Sequence, residues 1–191
     1  YGPQLRFETA DGSVRVFRRS SEPVASAGAM TWSLQAAGGP LTVTASEGRC
    51  ADTMTGMPYP KSVRIAYQGR TYQGCGGEPA ALLQGAEWRV EDIGGAGIVD
   101  RSRVTLRFGD DGRVAGTASC NRYSGAYELT GEGLTLGRML TTKMACAPAL
   151  MQQEQRFLGL LAQVRRFEIA ADGALVLVAS DGRRIVARRD R

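Results

Sequence analysis

Two short segments and one predicted helix carry the residues of this chain that could do chemistry. Ser119-Cys120-Asn121-Arg122-Tyr123 and Thr142-Lys143-Met144-Ala145-Cys146 set an amide, a guanidinium, a hydroxyl and an ammonium beside two cysteines. Asn121, Arg122, Thr142 and Lys143 together offer donors, acceptors and positive charge, which suits recognition better than group transfer. The competing role is structural, since asparagine side chains cap turns and a glycine such as Gly125 supplies a bend. Glu154 is the other candidate. It falls four residues after Leu150 and three before Phe157, on the apolar stripe of the predicted helix. A carboxylate facing a core either serves as a general acid or base with a raised pKa, or is held by hydrogen-bond donors. Backbone N–H groups of the cysteine segments are the expected donors, which makes Glu154 a structural tie between helix and sheet. No second carboxylate stands at a spacing that would complete an acid–base pair.

Other chemistries are removed by what the sequence lacks. It has no histidine, which excludes serine–histidine and cysteine–histidine dyads and every histidine-ligated metal. Gly94-Gly95-Ala96-Gly97 lacks the lysine and following helix of a phosphate loop and reads as a flexible connection. Asp110-Asp111-Gly112 lacks the spaced carboxylates of a calcium loop and reads as a hairpin tip. Asp52, beside Thr53 and Thr55, reads as part of a loop pinned by a disulfide. No catalytic residue, metal or cofactor is expected. Basic residues number 24 against 19 acidic ones, and all but Lys61 and Lys143 are arginines. A charge excess of this size fits the surface of a protein from an arginine-rich proteome as well as an anionic partner. The densest cluster, Arg183, Arg184, Arg188, Arg189 and Arg191, has no interleaved aromatics and makes a poor platform for single-stranded nucleic acid. No specific nucleic-acid partner is expected.

The cysteines point to a compartment. Cys50, Cys75, Cys120 and Cys146 are even in number and contain no Cys-x-x-Cys, whereas a four-cysteine zinc site would show close pairs. Three disulfide connectivities are open, and buried free thiols are the alternative. Sequential pairing, Cys50–Cys75 and Cys120–Cys146, respects the domain boundary given below and is the expected one. Each such loop would contribute about 3 kcal/mol. Disulfides imply an oxidising compartment, here the bacterial periplasm or an outer-membrane-associated location. No leader segment is visible, so the chain is expected to be an exported, mature form.

The elements that must position these residues are mostly strands. Asp-Gly pairs at 11–12, 111–112, 172–173 and 181–182 lie between short alternating runs, and both residue types tolerate the positive φ of tight hairpins. Val104, Leu106 and Phe108 alternate with Arg103, Thr105 and Arg107, which predicts one buried face and one wet face. One helix is predicted over 148–164, opened by Pro148 and buried along Leu150, Phe157, Leu158, Leu161 and Val164. Gln152, Gln153 and Arg156 are placed off that stripe. Gly76-Gly77-Glu78-Pro79 breaks the pattern, giving a first domain over 1–80 and a second over 84–191. The predicted fold is α+β, mostly antiparallel β, in two small β-rich domains.

The second half resembles a known family. Trp88, Val114-Ala115-Gly116, Cys120-Asn121, Ser124-Gly125-Ala126-Tyr127, Thr142-Lys143-Met144-Ala145-Cys146 and Glu154 are similar to the signature of the META (HslJ-like) domain. The resemblance implies a sheet with one covering helix, in a family frequent among envelope proteins and lipoproteins and in part tied to stress responses, with no established activity. Cys50-Ala51-Asp52-Thr53-Met54-Thr55, Tyr59-Pro60 and Gly74-Cys75 resemble a cysteine-bracketed domain of predicted bacterial envelope lipoproteins. No lipid-attachment cysteine stands near Tyr1, so membrane association is expected only through an anchor lost with the true start. The expected function is non-enzymatic: binding of another envelope protein or an envelope component, as a binding or stress-response module. The alternatives are a carboxylate-dependent hydrolase using Glu154 and a protease-inhibitor-like protein.

Overall fold

The computed structural model describes residues 4–9, 12–36 and 38–189. It divides into two compact units, Tyr1–Asp52 with Tyr59–Gly77, and Thr53–Pro58 with Glu78–Arg191.

The first unit is a seven-stranded antiparallel sheet. Its strands are β1 (Gln4–Glu8), β2 (Val14–Arg19), β3 (Val24–Ser26), β4 (Ala29–Ala36), β5 (Gly39–Ala51), β6 (Pro58–Tyr67) and β7 (Arg70–Gly76). They run in the order β1-β2-β4-β5-β6-β7, with β3 paired to β4. Alternation sends one row inward: Phe17, Leu34, Leu41, Val43 and Tyr67 are buried, with Phe7, Trp32, Val63 and Tyr72 packed on them. Phe7 of β1 meets Tyr72 of β7 edge-on at 5.6 Å, and Phe17 meets Tyr67 at 5.3 Å. The two ends of the strand order therefore face each other across an aromatic cluster. The β6–β7 turn places Gln68 at φ 49° and Gly69 at φ 74°, the left-handed pair a two-residue hairpin needs. Cys50 of β5 is bonded to Cys75 of β7. Of the turn predicted at 11–12, Asp11 lies outside the described residues, as does Arg191 of the basic cluster.

The second unit holds α1 (Ala80–Leu83), β8 (Glu87–Ile93), β9 (Thr105–Phe108), β10 (Arg113–Thr117), β11 (Arg122–Thr130), β12 (Gly133–Leu136) and β13 (Leu140–Thr141). It continues with α2 (Pro148–Leu161), β14 (Val164–Ile169), β15 (Leu175–Ala179) and β16 (Arg184–Arg189). The strand order is β12-β11-β10-β9-β8-β16-β15-β14, with β13 on β11. Register shifts between Val164 and Arg166 and between Val186 and Ala187 add the local twist that curls a sheet. Its ends come together: β12 packs on β14, and a Cβ on Gly133 would collide with the Arg165 carbonyl oxygen. The sheet is thus nearly closed, and α2 covers it. The described turns at 111–112, 172–173 and 181–182 share one device. Each aspartate carboxylate accepts the N–H two residues on, from Arg113 at 3.1 Å, Ala174 at 3.1 Å and Arg183 at 3.0 Å.

Three expectations need correction. The helix ends at Leu161, because Val164 opens β14 and packs in the sheet core. The helix's buried residues are Gln153, Phe157, Leu160 and Leu161; Leu150 and Leu158 are only half-buried. Each buried apolar side chain contributes about 1.5–3 kcal/mol, and Gln153 shares their face. Thr105 is not on a wet face but 2% exposed. Its hydroxyl accepts the Thr117 N–H at 3.2 Å and its carbonyl accepts the Tyr123 hydroxyl at 2.8 Å, which satisfies a polar side chain inside the sheet.

Candidate functional site

The second turn of α2 faces the segment that precedes β11, and two consecutive side chains make the joint. Glu154 accepts the Asn121 backbone N–H at 2.7 Å through Oε2 and the Asn121 side-chain amide at 3.0 Å through Oε1. Asn121 is 5% exposed. Its Oδ1 accepts from the Thr142 hydroxyl at 2.8 Å and the Met144 N–H at 2.7 Å, and its Nδ2 also reaches the Met144 carbonyl at 3.5 Å. One amide therefore connects the helix, the start of β11 and the loop after β13. The bond between Cys120 and Cys146 closes the same loop covalently.

Gln153 is the residue that sequence reasoning missed. It is 1% exposed. Its Oε1 accepts the Val99 N–H at 2.5 Å, and its Nε2 donates to the hydroxyls of Ser102 at 2.8 Å and Ser119 at 2.6 Å. Ser119 sits at φ 83°, in the left-handed region that costs a non-glycine residue about 1–3 kcal/mol unless its surroundings hold it there. The Gln153 bond and the Ser119 N–H to the Arg103 carbonyl, 3.2 Å, hold it. The only available sequence signal was a glutamine adjoining Glu154 and a pair of distant serines.

The four predicted recognition residues divide. Asn121 is buried and its amide is fully engaged. The Thr142 hydroxyl donates to Asn121 and accepts the Arg122 N–H at 3.2 Å. Arg122 and Lys143 are exposed. Leu140 of β13 and Met144 of the loop after it lie on either side of Lys143 in the chain, at 66% and 56% exposure. Arg122 also borders two shallow depressions of about 330 and 380 Å³, one over Thr105 and Gly116, the other beside Leu140 and Thr142.

The remaining candidates are structural in this setting. Tyr123 has its hydroxyl buried on the Thr105 carbonyl. Burial first, and the Glu87 charge second, push its ionisation far above the ordinary phenol range. The 94–97 stretch is a pinned turn rather than a flexible one: the Asp92 carboxylate accepts the N–H groups of Gly95 at 2.8 Å and Gly97 at 2.7 Å. Arg183 pairs with Asp181 at 2.8 Å, and Arg188 with Glu91 at 2.9 Å and Asp172 at 2.6 Å. Arg189 lies over the Trp88 ring, 5.1 Å from its centroid. Hydrogen bonds from Arg188 and then the Ala174 N–H hold the Asp172 carboxyl below the usual carboxylate range. Among the described residues no group of three or more His, Cys, Asp or Glu side chains could hold a metal ion. No described helix is long and apolar enough to cross a membrane.

Residues 81–191 match the model of the META domain. The chain belongs to the META domain family. The joint built by the cysteine pair, Asn121, the 142–146 loop and Glu154 lies within the matched residues. Gly116 sits in β10 where a Cβ would collide with the Thr105 carbonyl oxygen, so the META sheet requires glycine there. Two solved structures are similar. A protein from Burkholderia xenovorans is 26% identical, with 59% of this chain and 88% of that chain covered and a TM-score of 0.49. A second protein, also determined by NMR, is 24% identical over 56% of this chain and 92% of that one, with a TM-score of 0.47. No curated protein matches the chain. Ahead of the META domain, the Cys50–Cys75 pair is consistent with a cysteine-bracketed domain.

Proposed function

We propose that this is a non-catalytic binding module of the bacterial cell envelope, which engages a protein partner through the exposed segment at residues 140–145 of its META domain, the end of β13 and the loop after it. The observation that carries the reading is the grip of Asn121 on both polar groups of the Met144 backbone, with the Cys120–Cys146 bond closing the loop. A loop held in one shape loses little entropy on docking. Leu140 and Met144 supply exposed apolar anchors around Lys143, and Arg122 adds a second cation beside them. Two disulfides support export to an oxidising compartment. Both Glu154 oxygens are used on Asn121, which favours positioning over hydrolysis.

The test compares the wild-type chain with Met144→Asp and Lys143→Glu as baits in envelope extract, with thermal unfolding run in parallel. A partner held in a fixed ratio by the wild type and lost from both variants, at unchanged unfolding midpoints, supports the reading. Substrate turnover abolished by Glu154→Gln at an unchanged midpoint overturns it. The same clamped loop favours one narrower reading, inhibition of a protease that accepts a basic side chain. Stoichiometric inhibition of a trypsin-like protease that disappears in Lys143→Glu is the outcome expected of it.

A further inference from the structure

The open end of the first sheet is an apolar pocket with a basic rim, and we propose that it binds a single acyl chain ending in an anionic group. One end of the inward row is filled by the aromatic cluster of Phe7, Phe17, Tyr67 and Tyr72. At the other end aliphatic side chains and Trp32 leave a cavity of about 300 Å³. Trp32, Leu34, Val43, Ala45 and Val63 line it from three successive strands of the sheet. Its size is at the lower limit for small-molecule sites, and the mouth of a curled antiparallel sheet is a usual place for one. The lining is too apolar to hold ordered water well, so an alkyl chain gains the transfer free energy that water cannot.

The rim gives the head group its sign. Arg19 of β2 and Lys61 of β6 both border the cavity. Each side chain is 31% exposed and paired with a carboxylate that is largely in solvent, Glu22 at 3.1 Å for Arg19 and Glu47 at 2.8 Å for Lys61. Exposed pairs of this kind are worth little, so a carboxylate or phosphate arriving with a buried tail displaces Glu22 and Glu47 at low cost. Among the described residues, no acidic one lines the cavity itself. The chemistry is shared by a free fatty acid and by an anionic lysolipid, and the experiment separates them.

Trp32 is in the cavity wall, and Trp88, the second tryptophan of the chain, is 1% exposed in the other unit. Emission of the full chain therefore reports occupancy. It is titrated with decanoate, with lysophosphatidylglycerol and with decanol as the neutral control. The expected result is a saturable blue shift with decanoate, absent in Trp32→Phe, and affinity at least tenfold weaker for decanol. Lys61→Gln and Arg19→Gln should each weaken decanoate several-fold and leave decanol unchanged. Ala45→Phe should fill the cavity and abolish binding while the unfolding midpoint stays within a few degrees. Binding of lysophosphatidylglycerol alone assigns the site to the lipid form of the same chemistry, and decanoate alone to the free acid. No saturable shift with either anion, or binding indifferent to Ala45→Phe, or equal affinity for acid and alcohol, overturns the proposal.

Discussion

Replacing Glu154 by glutamine changes one atom and should unfasten the helix from the strand segment. In the native joint both carboxylate oxygens accept from Asn121, at 2.7 Å from its backbone and 3.0 Å from its amide. A glutamine can present oxygen to one donor only and turns an NH2 group on the other. Rotating the Asn121 amide does not rescue it, because Oδ1 is already accepting from Met144 and Thr142. Hydrogen bonds to a charged group are worth about 1.5–3 kcal/mol each, against about 0.5–1.5 kcal/mol for neutral ones. One bond is lost and the other is weakened, so the expected destabilisation is about 2–4 kcal/mol. For a unit of this size about 4 °C is lost per kcal/mol, which gives a fall of about 8–16 °C in the midpoint of the META domain. Scanning calorimetry of the full chain reads it, and a cycle with Asn121→Ala isolates the pair, with an expected coupling above about 1 kcal/mol. A midpoint within about 2 °C of wild type, or a coupling near zero, would refute the structural role.

Gln153→Leu should be comparably damaging, by about 2–3 kcal/mol, since it strands the Val99 N–H and releases Ser119 from its left-handed backbone; hydrogen exchange at Val99 and Ser119 would rise before that of the sheet strands. Gly116→Ala should unfold or severely destabilise the META domain because the new methyl meets the Thr105 carbonyl, whereas Gly74→Ala, with open space around it, should stay within about 1 kcal/mol in urea titrations. Cys120→Ser with Cys146→Ser should cost the META domain about 3 kcal/mol for a loop with sequence separation 26, leaving the other unit's transition in place. Above about pH 10 an unfolded tyrosine ionises, while buried Tyr123 stays protonated in the fold. The unfolded state then binds fewer protons, and META-domain stability must fall as pH rises further. NMR of the native chain at pH 11 should find Tyr123 un-ionised, and a Tyr123 ring that titrates with the exposed tyrosines would contradict this.

What the sequence disclosed follows from which interactions are local. The Asp-Gly turns were legible because the aspartate bonds its own chain two residues away and the glycine supplies the positive φ. The helix was legible from Pro148 and the spacing of Phe157 and Leu161, yet its end was not, since Val164 suits a helix stripe as well as the strand it opens. Glu154 betrayed itself as a carboxylate among apolar residues. Gln153 did not, because an uncharged polar residue at a helix position is ordinary, and its partners Val99, Ser102 and Ser119 are joined to it only by the fold. The buried Thr105 escaped for the same reason: a threonine alternating with valine and leucine fits a wet face until Thr117 and Tyr123 are brought to it. That residues 53–58 group with the META domain has no local signal at all.

The pairing of β8 with β16 sets a rule for how this domain comes into being. Glu91 and Arg188 are hydrogen-bonded partners separated by 97 positions. The opening strand of the META sheet pairs early with β9 but must wait for nearly the whole domain before it finds its second neighbour, β16. Until that last strand is made, one edge of β8 stays unpaired while β9 to β12 pair in sequence beside it. Shortening the chain by its final strand would leave β8 and β15 with bare edges facing each other, ready to capture a strand from another copy.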